Sequence, residues 1–155
     1  MPSEPPPFER TKCACENCTQ CCIDQPGPLA PGDFERIADF LGEPRSYAAR
    51  KFWASPGAVI KVTNAGKQQL MRVGTITPKR VKTPLGRRCI FLDEKNRCSI
   101  HPVAPFGCAM LDTHMSREQT QERGRWLVTA QLNDPNYAKL RNTLDYATSY
   151  KPKSY

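Results

Sequence analysis

The chain has 155 residues, eight of them cysteine, with 39% hydrophobic and 25% charged residues and a formal charge of +8. That length builds one domain around a single modest core, and that balance belongs to a folded, soluble protein rather than a disordered one. No apolar run approaches the ~20 residues of a membrane span, and the proline-rich opening MPSEPPPFERT lacks the apolar stretch of a secretory signal, so the expected address is the cytoplasm, without membrane contact.

In chain order, residues 1–12 read as a flexible tail, residues 13–150 as one cysteine-cluster domain, and 151–155 as a second tail. The domain opens on CACENCTQCC, five cysteines in ten residues. Cys15-x-x-Cys18 and Cys18-x-x-Cys21 have the interval at which a short loop turns two sulfurs onto one ion at ~2.3 Å. Adjacent Cys21 and Cys22 then serve different ions, or different atoms of one cluster. Disulfides fit poorly, because cytosolic thiols are kept reduced and Cys21 and Cys22 would need two distant partners. A redox dithiol would need only one C-x-x-C, within a βαβ pattern absent here.

After this block, Phe34, Ile37, Ala38 and Leu41 recur at helical spacing, with Gly42 as the stop. A second short helix is expected after Pro44, carrying Tyr47, Phe52 and Trp53. Residues 58–63 and 68–77 alternate as strands joined by the turn NAGK, and 87–92 is a third strand. A second cysteine block follows 66 residues after the first, with Cys89, Cys98 and Cys108 and both histidines of the chain, His101 and His114. Pro102 and Pro105 interrupt regular structure, placing Cys108 on a loop or at a helix start. Ser116-x-x-Gln119 is a capping box opening a polar helix toward Trp126. Asp134-Pro135 starts another, with Tyr137, Leu140, Leu144 and Ala147 on one core-facing stripe.

The run Cys15-x-x-Cys18-x-x-Cys21-Cys22, with a later C-x-F-L, C-x-I and P-x-x-C, resembles the CxxCxxCC cysteine-cluster family, named for zinc or iron chelation. LAPGDFERIADFLG is similar to that family's L-x-x-x-D-x-x-R-I segment ending in L-G, and CIFLDEKNRCSI to its hairpin. The likeness covers roughly residues 13–115, with seven cysteines in register. The chain departs from the pattern at His101, where the family has tyrosine, and at Ala104 and Ala109, where it has arginine; Cys13 is an addition. The resemblance implies a metal centre more strongly than a reaction, and a similar cluster in flagellin lysine N-methylases looks like an iron–sulfur site.

Ligand chemistry limits the cofactor to zinc or iron. Thiolates suit zinc or an iron–sulfur cluster, whereas calcium and magnesium would need carboxylates that the two blocks lack. The expected ligands are Cys15, Cys18, Cys21, Cys22, Cys89, Cys98 and Cys108, with His101, His114 and Cys13 as secondary candidates. His101 also reads as a packed ring in the tyrosine slot, and Asp112 as a carboxylate that orients His114. The fold class expected is α+β: a small domain with a cysteine-rich core, a short antiparallel sheet and peripheral helices. Two functions stay open. In one, an iron centre carries redox, catalytic or maturation chemistry; in the other, closed zinc sites support a scaffold for a protein or nucleic-acid partner. A protein partner suits either. Nucleic acid is disfavoured, since Lys79, Arg80, Lys82, Arg87 and Arg88 form a basic stretch without a recognition helix or aromatic platform. Metal-bound thiolates would also offset much of the positive charge.

Overall fold

The computed structural model describes residues 6–10, 26–111 and 115–146. Residues 26–30 run extended into helix α1 (Asp33–Leu41), followed by a single turn, α2 (Arg45–Ala48), and a 3-10 turn. A long hairpin then forms from β1 (Phe52–Asn64) and β2 (Lys67–Pro78), and a short one from β3 (Arg80–Thr83) and β4 (Gly86–Cys89). The carboxyl-terminal half holds the single turn α3 (Phe106–Ala109), helices α4 (Arg117–Leu132) and α5 (Pro135–Thr143), and a two-residue strand, β5 (Asp145–Tyr146). The architecture is α+β, as expected.

Several local signals act as their chemistry dictates. Gly42 ends α1 at φ 65°, a backbone state without penalty for glycine. Ser116 caps α4 reciprocally with Gln119, and the Asp134 carboxylate accepts the N–H groups of Asn136 and Tyr137 at the start of α5. The β1–β2 turn places Ala65 at φ 52° and Gly66 at φ 78°, the two positive angles a two-residue hairpin of matching twist requires.

Other expectations are corrected. Phe52 and Trp53 belong to β1, not to a helix, because the helical run after Pro44 stops at Lys51 and Phe52 is already extended, at φ −128°. The sheet is mixed: its order is β2-β1-β5, antiparallel between β1 and β2 but parallel between β1 and β5. The strand expected over 87–92 ends at Cys89, where the chain turns back as the Leu92 N–H reaches the Cys89 carbonyl. Its partner β3 comes from the basic stretch. Leu144 lies one residue past α5 yet packs on the core, and Ala147 is outside the described residues.

Two apolar clusters flank the extended segment. Leu29 enters the larger, with Phe34, Ile37, Phe52, Ile76, Phe91, Ile100 and Tyr137. Ala30 enters the smaller, with Phe106 and Leu127. Successive residues of an extended chain point to opposite sides, so these five residues serve both clusters at once. Cys89 is part of the larger cluster and Cys98 packs against it, while the first cysteine block of the expected cysteine-rich core lies outside the described residues.

Polar side chains secure the same segment. The Tyr137 hydroxyl donates to the Leu29 carbonyl at 2.9 Å and accepts from Ile76 N–H at 2.9 Å and Gln131 at 3.0 Å. Burial at this node pushes the Tyr137 hydroxyl far above the ordinary tyrosine range. Asp33, at the start of α1, accepts from Ala30 N–H at 2.8 Å and from Phe106 N–H at 2.9 Å, while its other oxygen pairs with Arg36. Burial raises the Asp33 carboxyl above its usual value, and the two N–H groups and Arg36 oppose that rise without cancelling it.

Ala65→Asn replaces alanine at positive φ by a residue that tolerates that conformation better and should raise stability in urea melts by about 0.5–1 kcal/mol. Asp33→Ala strands two buried N–H donors and should lower stability by about 2–4 kcal/mol. Asp33→Asn, which keeps one acceptor, should cost less. Because the folded-state value of Asp33 is raised, the folded chain holds a proton that the unfolded chain has released. Between the unfolded value near 3.8 and the folded one, wild type therefore gains stability on acidification and loses it as pH rises, relative to Asp33→Asn. Urea melts of both proteins across that window check the sign.

Candidate metal centre

The second cysteine block takes its shape from a tight turn. The Asp93 side chain accepts from Lys95 N–H and Arg97 N–H, both at 2.8 Å, and Asn96 adopts φ 62°. The Arg97 N–H bond leads the causes that hold this exposed carboxyl below the usual range. The turn carries the chain back so that Cys98 bridges to Leu92 and Ser99 N–H reaches Phe91 O at 2.7 Å. Cys89, on one arm, is 7% exposed, while Cys98, on the other, is half-buried.

Burial pushes the Cys98 thiol above its ordinary value, and Asp93 adds to the rise; the Ile100 N–H and the positive charge of Arg10 pull it back. At neutral pH this sulfur holds its proton, which an incoming ion would displace.

Cys108 is half-buried in α3, directly against the extended segment. Its sulfur accepts from Gly27 N–H at 3.3 Å, and Gly107 N–H donates to Pro28 O at 2.9 Å. Two glycines permit this approach. A methyl group on Gly27 would sit 2.4 Å from the Cys108 nitrogen, and one on Gly107 would sit 2.1 Å from the Pro28 ring, far inside contact distance. The backbone that leaves the first cysteine block thus lies on the last cysteine of the second.

The backbone that enters the first block is held there too. Arg10 donates to the His101 carbonyl and Arg123 to the Glu9 carbonyl at 3.0 Å. Phe8, within the stretch read from sequence as a tail, meets Phe106 edge-on at 6.5 Å and Trp126 at 6.0 Å between ring centroids. Phe106 and Trp126 stack at 5.2 Å beneath it.

Of the candidate ligands, Cys89, Cys98, Cys108 and His101 are described, whereas Cys13, Cys15, Cys18, Cys21, Cys22 and His114, with its neighbour Asp112, lie outside the described residues. His101 is exposed in a 3-10 turn, not packed as a ring. Among the described residues, no three Cys, His, Asp or Glu side chains come together to hold an ion. The donor chemistry nonetheless fits zinc or iron. Soft sulfurs receive backbone N–H groups at Cys98 and Cys108 and a nearby guanidinium at Cys98, the surroundings that stabilise thiolate ligands. Arg10, Gly27 and Gly107 were not singled out from sequence, and Asp33 only as the acidic position of the family-like segment, without its role. The two glycines left one signal, each lying beside proline and near a cysteine block, in QPGP and PFGC.

One family profile, CxxCxxCC, described as "Putative zinc- or iron-chelating domain", matches residues 14–129. No curated protein and no solved structure matches the chain. No helix among the described residues is long and apolar enough to cross a membrane.

Gly107→Ala tests the close approach. It should cost about 1–3 kcal/mol of stability as the overpacked backbone shifts. It should also expose the Cys108 thiol, read as faster reaction with a thiol reagent; wild-type stability and reactivity would count against this contact.

Proposed function

The chain belongs to the CxxCxxCC family of zinc- or iron-chelating domains, and from that premise we propose that both cysteine blocks supply one metal centre, whose ion carries a redox, catalytic or maturation role. Cys15, Cys18, Cys21 and Cys22 join Cys89, Cys98 and Cys108 as its thiolates. One observation carries the reading: the chain is anchored on the second block at both ends of the first, through Arg10 at His101 and Gly27 at Cys108. Cys13 stands three residues beyond Arg10 and Cys22 five residues before Gly27. At about 3.6 Å per residue, covalent reach keeps these outer cysteines within roughly 11 and 18 Å of those anchors. Closing the 66-residue gap between the blocks by ligation would also stabilise the fold.

The chain's own contribution is to gather and shield the sulfurs. Cys89 sits in the apolar core, where water is excluded, and N–H groups point at Cys98 and Cys108. Bound iron would supply electron transfer or an open coordination position, whereas bound zinc would supply Lewis acidity or a closed structural site. The burial of Cys89 favours a second reading for any zinc it holds: a structural module serving as a docking scaffold for a protein partner. His101, His114 and Cys13 are secondary ligands in this scheme. The reducing cytoplasm, where thiols persist, suits it.

Metal and acid-labile sulfide analysis of protein purified without oxygen tests this. At least one zinc or iron per chain is expected, with sulfide if the centre is a cluster. Cys18→Ser and Cys89→Ser should each lose most of the bound metal and melt at lower temperature, because ligation free energy is also folding free energy. Wild-type metal content and stability in both variants would refute a shared centre.

A further inference from the structure

Across the short hairpin, Arg80 stands directly opposite Cys89 and Lys82 directly opposite Arg87. Strand residues two apart share a face, so Arg80, Lys82, Arg87 and Cys89 lie on one side of the hairpin, with opposed Cβ atoms about 4.5–5.5 Å apart. Lys82 and Arg87 are exposed to water, but Arg80 is half-buried. Its Nε is inaccessible to solvent and has no hydrogen-bond partner, and among the described residues Arg80 makes no ion pair. The preceding residue, Lys79, differs in this respect, pairing with Asp145 at 2.9 Å.

A buried guanidinium N–H is ordinarily hydrogen-bonded, because losing water without replacing it is unfavourable. The opposed residue is a sulfur. A neutral thiol is a weak acceptor, whereas a metal-bound thiolate is a strong one, and thiolates that outnumber the charge of their ion leave a centre anionic.

We propose that Arg80 is a positioning residue for the metal centre, its buried Nε–H donating to the Cys89 thiolate once that sulfur is ligated and its charge compensating an anionic, thiolate-rich site. The inference rests on the shared centre proposed above and adds to it a cation outside the ligand set. It gives one basic residue of the hairpin a role at the metal and leaves Lys82 and Arg87, exposed on the same face, without one.

Opposite effects on empty and loaded protein distinguish this role from a structural one. In the empty protein Arg80 holds an unpartnered buried donor, so Arg80→Met, similar in length and uncharged, should melt no lower than wild type. Loaded with cobalt(II), full-length Arg80→Met should surrender the metal to a chelator at least about tenfold faster than wild type, the size of effect typical of groups that support metal ligands. Arg80→Lys, which keeps the charge but lacks the Nε donor, should fall between them. Lys82→Met, on the same face but exposed, should release cobalt as wild type does. Equal release from Arg80→Met and wild type would overturn the inference while leaving the shared centre standing, and so would an equal loss of stability in its empty and loaded forms. Failure of the wild-type chain to bind cobalt through thiolates would overturn the shared centre itself, and the role of Arg80 with it.

Discussion

The carboxylate of Asp33 is the constraint on which the arrangement of this domain depends. One of its oxygens takes N–H groups from Ala30 and Phe106, residues far apart in sequence, and so fixes the extended segment before α1 against the turn that carries Cys108. Burying a carboxylate is unfavourable, as its raised titration shows, and two backbone donors with one guanidinium offset much of that penalty. The segment so fixed then divides its side chains, Leu29 to one apolar cluster and Ala30 to the other. Leu29 is held a second time through its backbone, by Ile76 and by the Tyr137 hydroxyl.

This locking has a chemical consequence beyond packing. In sequence the first cysteine block stands between two fixed points, Arg10 and Gly27, and both points lie on the second block. A chain of soft, densely spaced thiols has many ways to bind an ion, most of them with little order. Fixing the ends of such a chain lowers the entropy that ligation would cost. At Cys98 burial and the positive charge of Arg10 act in opposite directions on a thiolate, burial disfavouring its charge and Arg10 favouring it, with burial prevailing.

How much of this was legible in the sequence differs between elements. Helix α1, the long hairpin with its NAGK turn, the Ser116 capping box and the Asp134-Pro135 start all emerged from short-range signals, and short-range chemistry sets them: glycine at positive φ and side-chain oxygens on exposed N–H groups. Phe52 and Trp53 were misassigned because a helix starting after Pro44 was carried too far and aromatic residues also suit a strand, where pairing with Thr77 and Pro78 decided the matter. Strand β3 was missed because its sequence, RVKT, is short and basic, and its only reason to be extended is β4 beside it. The family likeness was legible from the cysteine spacing and from the segments around it, and the profile match confirms it. Illegible were the long-range contacts that organise the site: Asp33 with Phe106, Gly27 with Cys108, Arg10 with His101. Each joins residues more than seventy positions apart, and no local pattern announces such a pairing.

The claim that two distant cysteine blocks form one centre is tested most directly by alkylation of the metal-loaded chain without oxygen, with mass spectrometry reading each cysteine before and after a chelator is added. The account predicts that Cys15, Cys18, Cys21, Cys22, Cys89, Cys98 and Cys108 resist alkylation together in the loaded protein and become reactive together when the metal is removed. Metal-dependent protection confined to the first block, with Cys89, Cys98 and Cys108 reacting alike in both states, would contradict it.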